Sequence, residues 1–208
     1  MELMNYHKPM DIHIERVARE AARLRYEEPE LYREYYHAKR EAARRLNVSV
    51  IPSNKDIFIF YQEIANMREG KDDRAKRLIE MREEALYWMQ KFKDFKPRLL
   101  GSVRRGDVTS KSDIDMHVLV QEEYDEFLQF LSERCIQYDC EVKVVRDPDE
   151  GVKEYHHVYL LRNFKTEITI YLEDEYSPQI CSIFGERIRG LTVKQVAKLV
   201  DGDKNGLA

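Results

Sequence analysis

The chain has 208 residues, 43% hydrophobic and 36% charged, with 11% aromatics, eight Gly and six Pro, which supplies a real core and argues against disorder or low complexity. A formal net charge of −4 argues against a globally basic, nucleic-acid-wrapping protein, and three cysteines without CxxC spacing, Cys135, Cys140 and Cys181, argue against a disulfide framework or a zinc knuckle. No apolar run approaches the roughly 18 residues of a membrane span, so the expectation is a cytoplasmic protein with no membrane partner.

Residues 1–95 read as a helical N-terminal region, with apolar and small residues three and four apart and almost no glycine. One helix is predicted over Asp11 to Arg25 and a second from Pro29, a tolerated first-turn proline, to Leu46, with Asn47 as its breaker. Ser53 caps a third, with Asp56 three residues on approximating a capping box and Gly70 closing it. A fourth opens at Asp72 or Asp73 and runs to about Phe95, its apolar surface made by Ala75, Leu78, Ile79, Met81, Leu86, Trp88 and Met89. Trp88 reads as core packing rather than as an adenine platform. Arg33, Lys39, Arg40, Arg44 and Arg45, interleaved with Tyr32, Tyr35 and Tyr36, read as a solvated face diluted by Glu34 and Glu41. The alternative is a nucleic-acid surface around Arg40 to Arg45, holding phosphates and stacked bases.

After Pro97 the pattern changes to short alternating runs bounded by turns, with one helical stretch at Glu123 to Ile136. Strands are predicted at Arg98 to Leu100, Ile114 to Val120, Cys140 to Arg146, His156 to Leu161 and Glu167 to Leu172, the last two forming an antiparallel hairpin. Residues 96–180 are therefore expected to form an α+β catalytic domain with a small, mixed, largely antiparallel sheet. Residues 181–208 then supply a C-terminal helix, capped by Thr192, and a tail frayed after Asp201.

The chemistry concentrates in two places. Leu100-Gly101-Ser102 is followed after ten residues by Asp113-Ile114-Asp115-Met116. Alternation along a strand puts Asp113, Asp115 and His117 on one face and Ile114, Met116 and Val118 on the other. Two carboxylates held that close repel each other, and a divalent cation is their natural third party. Glu167 adds a carboxylate on the polar face of a later strand. His117 reads as a structural or solvated histidine, and His156 and His157 alternate faces, neither having the spacing of a metal ligand.

These residues resemble the DNA polymerase β-type nucleotidyltransferases, whose motif is an apolar residue, Gly, Gly or Ser, a gap of about a dozen residues, then Asp-x-Asp or Asp-x-Glu. The resemblance covers Lys96 to Leu172. It implies that Asp113, Asp115 and Glu167 are the catalytic carboxylates and ligands of Mg²⁺ or Mn²⁺; Lys165-Thr166-Glu167-Ile168 supplies the third, with Thr166 where an aliphatic residue is usual. It also implies that Gly101 and Ser102 bind the phosphates of an NTP, ATP first among them. In the loop between the motifs, Arg105 and Lys111 are the cations chosen for the triphosphate. The implied reaction is transfer of an NMP to a hydroxyl of RNA, a protein or a small molecule, with release of pyrophosphate. The alternatives are a catalytically silent nucleotide- or partner-binding module of the same fold, and an antitoxin-type enzyme that modifies a protein partner.

Overall fold

Asp11 accepts hydrogen bonds from the backbone N–H groups of His13 and Ile14 and so starts α1 (Ile12–Glu27). The structure, a computed structural model, describes residues 10–147 and 151–206. It continues through α2 (Pro29–Tyr32), α3 (Tyr35–Leu46) and α4 (Asn54–Glu69). Ala18, Ala21 and Ala22 of α1 and Ala38, Ala42 and Ala43 of α3 are buried with Leu24, Ile57 and Phe60, small side chains that let helix backbones approach closely. At Ser53 both halves of the expected capping box form with Asp56, and Asn47 ends α3 in the left-handed conformation. These helices and residues 181–186 make one compact unit.

The helix expected over Pro29 to Leu46 is two helices. Glu34 is extended, and the Arg25 guanidinium takes the carbonyls of Tyr32 and Arg33 at 3.3 and 2.8 Å, withdrawing both from a continuous helical ladder. The basic face is also partly neutralised: Tyr35 is buried, and Arg44 and Arg45 share the Glu41 carboxylate at 2.8 Å.

The second unit comprises residues 72–180 and 187–206. After α5 (Lys71–Lys91) and a single 3-10 turn at Lys93–Phe95 come β1 (Arg98–Leu99), α6 (Gly101–Arg105), β2 (Ile114–Val120), α7 (Asp125–Glu133), β3 (Asp139–Asp147), β4 (Gly151–Leu161) and β5 (Lys165–Leu172). A two-stranded ribbon, β6 (Gln179–Ile180) and β7 (Arg187–Ile188), precedes α8 (Val193–Gly206). The main sheet has the order β1-β2-β5-β4-β3, parallel between β2 and β5 and antiparallel elsewhere. This is the α+β architecture with the mixed, largely antiparallel sheet that the sequence predicts.

The expected division after residue 95 does not coincide with the compact units, which separate near residue 71. The reason is the apolar face of α5. Met81, Ala85, Trp88 and Met89, followed by Phe92, share one core with Ile114, Met116 and Val118 of β2, Ile168 and Ile170 of β5, Phe127 and Leu131 of α7, and Val196 and Val200 of α8. Trp88 stacks on Phe92 inside this core, as expected for a packing residue. The tail expected to fray after Asp201 instead stays helical to Gly206, because Asp203 accepts both Arg82 Nη1 contacts, at 2.9 and 3.1 Å.

Three polar residues of α5 are buried as well. Arg74 Nε donates to the carbonyl of Val108 at 2.8 Å, and Arg82 Nε to that of Val103 at 3.2 Å, fixing the segment between β1 and β2. Glu84, 2% exposed, accepts the N–H groups of Asn163 and Phe164 in the β4–β5 turn. Glu84→Ala leaves both donors unpaired and is expected to cost about 2 kcal/mol in urea unfolding, whereas Glu84→Gln, which keeps an acceptor oxygen, should cost less.

Candidate active site

The parallel pairing of β2 with β5 sets Asp115 opposite Glu167 and Ile114 opposite Thr166. Neighbouring strands lie about 4.8 Å apart, so Asp115 and Glu167 rise from one face as lateral neighbours, with Asp113 two residues before Asp115. The register continues the face outward: Tyr159 of β4 lies opposite Glu167, His157 opposite Thr169, and on β3 Glu141 lies opposite His157. One polar sheet face thus carries Asp115, His117, Glu167, Thr169, His157, Tyr159, Glu141 and Lys143, while the other forms the core.

Gly101 turns the chain from β1 into α6 with φ +61°, and a Cβ built there would lie 1.7 Å from Asp115 Oδ2. Only glycine leaves room for that carboxylate, so the Gly-Ser step and the Asp-x-Asp step meet in space. Leu100 N–H donates to the Asp115 carbonyl at 2.9 Å and fixes the approach. Ser102 follows in the first turn of α6, half-buried.

The two outer carboxylates carry protein cations. Asp113 Oδ2 is 3.3 Å from Lys165 Nζ. Glu167 Oε1 is 2.8 Å from His157 Nδ1 and 2.9 Å from Lys143 Nζ. The hydrogen bond from His157 and, after it, that from Lys143 outweigh desolvation and hold Glu167 down at about 2, so it is ionised near neutral pH. Among the described residues no three acidic, His or Cys side chains converge as a metal-holding group. Asp113 and Asp115 nonetheless offer the hard oxygen donors that suit Mg²⁺ or Mn²⁺, and the space left by Gly101 keeps the Asp115 carboxylate in place. Glu167 Oε1, held by Lys143 and His157, would join them in competition with those two partners.

Of the two loop cations, Arg105 Nε is bound to Asp107 Oδ2 at 2.9 Å and is half-buried. Lys111 is exposed, on a turn pinned by Thr109 N–H donating to Ser112 Oγ at 2.9 Å. Sequence spacing misses His157 and Lys143 as partners of Glu167. The signal was available in the alternation of β4, which puts His157 on the Glu167 face once the hairpin register is known. His156 is on the opposite face, stacked on Tyr124 with ring centroids 4.1 Å apart.

His117, on the acidic face, is 5% exposed, packed by Tyr171 and Tyr176 with Nε2 against Gln179. Its Nδ1 makes no hydrogen bond among the described residues. Of the structural and solvated readings of this histidine, its burial agrees with the structural one, and burial pushes it down to about 4. An open depression of about 800 Å³, lined by Ser132, Gln137, Tyr138 and Tyr159 among others, lies where the end of β4 meets the start of β3 and includes none of the three carboxylates.

Residues 81–174 match the nucleotidyltransferase domain family. The segment is a nucleotidyltransferase domain of the polymerase β type, a class of transferases of phosphorus-containing groups, and it begins inside α5, ahead of Lys96 where the sequence resemblance starts. No curated protein matches the chain. Among solved structures it is similar to the Cid1 poly(U) polymerase with MgGTP bound, at 21% identity and a TM-score of 0.34 over 57% of this chain and 38% of that one. It is also similar to a cytoplasmic RNA terminal U-transferase, at 19% identity and a TM-score of 0.30, over 57% and 38%. The chain therefore spans well under half the length of these structures.

Two measurements check this geometry. Gly101→Ala is expected to destabilise the domain by about 1–2 kcal/mol, from the positive φ and the clash with Asp115; adding Asp115→Ala removes the clash, so the double mutant should lose less than the sum of the singles. The second is pH. Unfolded histidine titrates near 6.5, so the unfolded chain takes up a proton that folded His117 refuses, and stability falls as pH drops from about 6.5 towards 4. Glu167 acts in the same direction lower down, its contribution being lost as pH falls from about 4.5 towards 2. His117→Phe should flatten the loss between pH 7 and 5 by roughly 1–2 kcal/mol in thermal unfolding.

Proposed function

We propose that this chain, whose residues 81–174 form a nucleotidyltransferase domain, transfers an NMP from an NTP to a hydroxyl acceptor and releases pyrophosphate. The observation that carries the reading is the meeting of Gly101-Ser102 with Asp115, and of Asp115 with Glu167, on one sheet face. In the proposed reaction an acceptor oxygen bonds to the α-phosphorus, the bond to the β-phosphate oxygen breaks, and the acceptor proton is lost to solvent or to a nearby base. Bound Mg²⁺ or Mn²⁺ would neutralise the phosphates and acidify the attacking hydroxyl.

The chain's own contributions would be these, each supported by its place in the site. Asp113 and Asp115 would present oxygens to the cation, Asp115 held by its fit against Gly101. Gly101 would allow the backbone close to the terminal phosphates, and Ser102 would donate its hydroxyl and N–H to them. Lys111, exposed on its turn, and Arg105, on leaving Asp107, would be the loop cations offered to the phosphates. A carboxylate held near 2 is a weak base at neutral pH, so Glu167 serves better as a ligand beside the acceptor than as the group that takes its proton. ATP is the expected nucleotide, and the acceptor class remains RNA, protein or small molecule; a cytoplasmic setting belongs to the same proposal.

A second reading, a silent nucleotide-binding module of the same fold, has one observation in its favour: Glu167 is already engaged by Lys143 and His157. Incubation with each α-labelled NTP and Mg²⁺ or Mn²⁺, with total RNA and cell lysate as acceptors, separates the two. The enzyme reading predicts label in a discrete acceptor, reduced at least about 100-fold by Asp113→Asn or Asp115→Asn, on the scale of lost electrostatic stabilisation in other active sites. Metal-dependent nucleotide binding with no transfer to any acceptor would favour the silent module.

A further inference from the structure

The ring of Tyr159 lies between two lysines. Lys165 Nζ is 4.9 Å from its centroid and Lys143 Nζ 5.6 Å. Each ammonium also reaches a carboxylate, Lys165 that of Asp113 and Lys143 that of Glu167, while the Tyr159 hydroxyl donates to Glu141 at 3.0 Å. The two lysines come from different strands, β5 and β3, yet both lie against the Tyr159 ring. The Lys165–Asp113 pair is accessible and contributes little to stability, whereas Lys143 meets a Glu167 carboxylate that is itself buried and already bonded to His157.

We propose that Lys143 and Lys165 are counter-cations built into the candidate site, holding Glu167 and Asp113 until a divalent cation claims those carboxylates, and then pairing with the nucleotide's phosphates. The inference rests on the site reading under Proposed function and adds a binding role for two residues to which the motif assigns none. Tyr159 gives each ammonium group a ring against which to move, since a cation is held by the face of a ring without a fixed direction. The arrangement links the two ligands. Each lysine competes with the cation for a carboxylate, and once displaced it adds a positive charge where the triphosphate carries most of its negative charge. Arg105 is paired with Asp107, an acid outside the three candidate metal ligands, so uptake of the cation at those ligands would not release it.

The sign of the effect makes it testable. Removing an ammonium removes a competitor of the cation and a partner of the phosphates, so Lys143→Met and Lys165→Met should each bind Mn²⁺ more tightly, by on the order of tenfold at low salt in an electron paramagnetic resonance titration. The same variants should bind ATP without metal more weakly, by a similar factor, and Lys143→Arg should stay close to wild type in both. Mn²⁺ affinity that is unchanged or reduced in both methionine variants, or ATP affinity that is unchanged, overturns the assignment. Wild-type protein that takes up Mn²⁺ while Asp115→Asn does not, combined with lysine variants that behave like wild type, would overturn the lysine roles alone. Wild-type protein that takes up no Mn²⁺ would overturn the site reading and this inference with it.

Discussion

The parallel register between β2 and β5 is the constraint on which the candidate site depends. It is the one parallel pairing in the main sheet, and it sets Asp115 and Glu167 side by side although 51 positions separate them in sequence. Because side chains alternate with a period of two, a slip of one residue would turn Glu167 into the core and bring Thr166 to the polar face. Ile114, Met116, Ile168 and Ile170, all fully or almost fully buried, make that slip costly. The apolar half of each strand therefore fixes where its acidic half points.

Around that register the unit is tied by polar groups on α5. Arg74 and Arg82 hold backbone carbonyls on the approach to β2, and Glu84 holds the turn that leads into β5. A buried charged group is tolerated when its hydrogen bonds are satisfied, and here each one sets a segment that carries a candidate site residue. The helix thus does more than fill space: it links the Gly101 side and the Glu167 side of the polar face. This also explains why the domain begins inside α5 rather than after it.

Much of this is legible in the sequence, for identifiable reasons. Asp113, Asp115, Gly101 and Ser102 sit close together in the chain, and strand alternation with a glycine step is enough to relate them. Glu167 is visible as an acid on a polar strand face, and the capping box at Ser53 and the breaker at Asn47 are local signals that the structure bears out. What sequence reading missed is non-local. The break between α2 and α3 depends on Arg25 reaching two carbonyls from the preceding helix, the helical tail depends on Arg82 meeting Asp203, and the division near residue 71 depends on which core α5 joins. Lys143 and His157 escaped for the same reason: their role is defined by a partner on another strand, and only the hairpin register reveals it.

On the proposed reading, the acids of β2 and β5 and the Gly101-Ser102 step serve one bound metal-nucleotide. A crystal structure with Mn²⁺ and a non-hydrolysable NTP analogue, read through the anomalous signal of manganese, tests it most directly. The expected result is an anomalous peak within bonding distance of Asp113 and Asp115, with the triphosphate against Gly101 and Ser102. A nucleotide bound elsewhere, or manganese that avoids both aspartates, would contradict it.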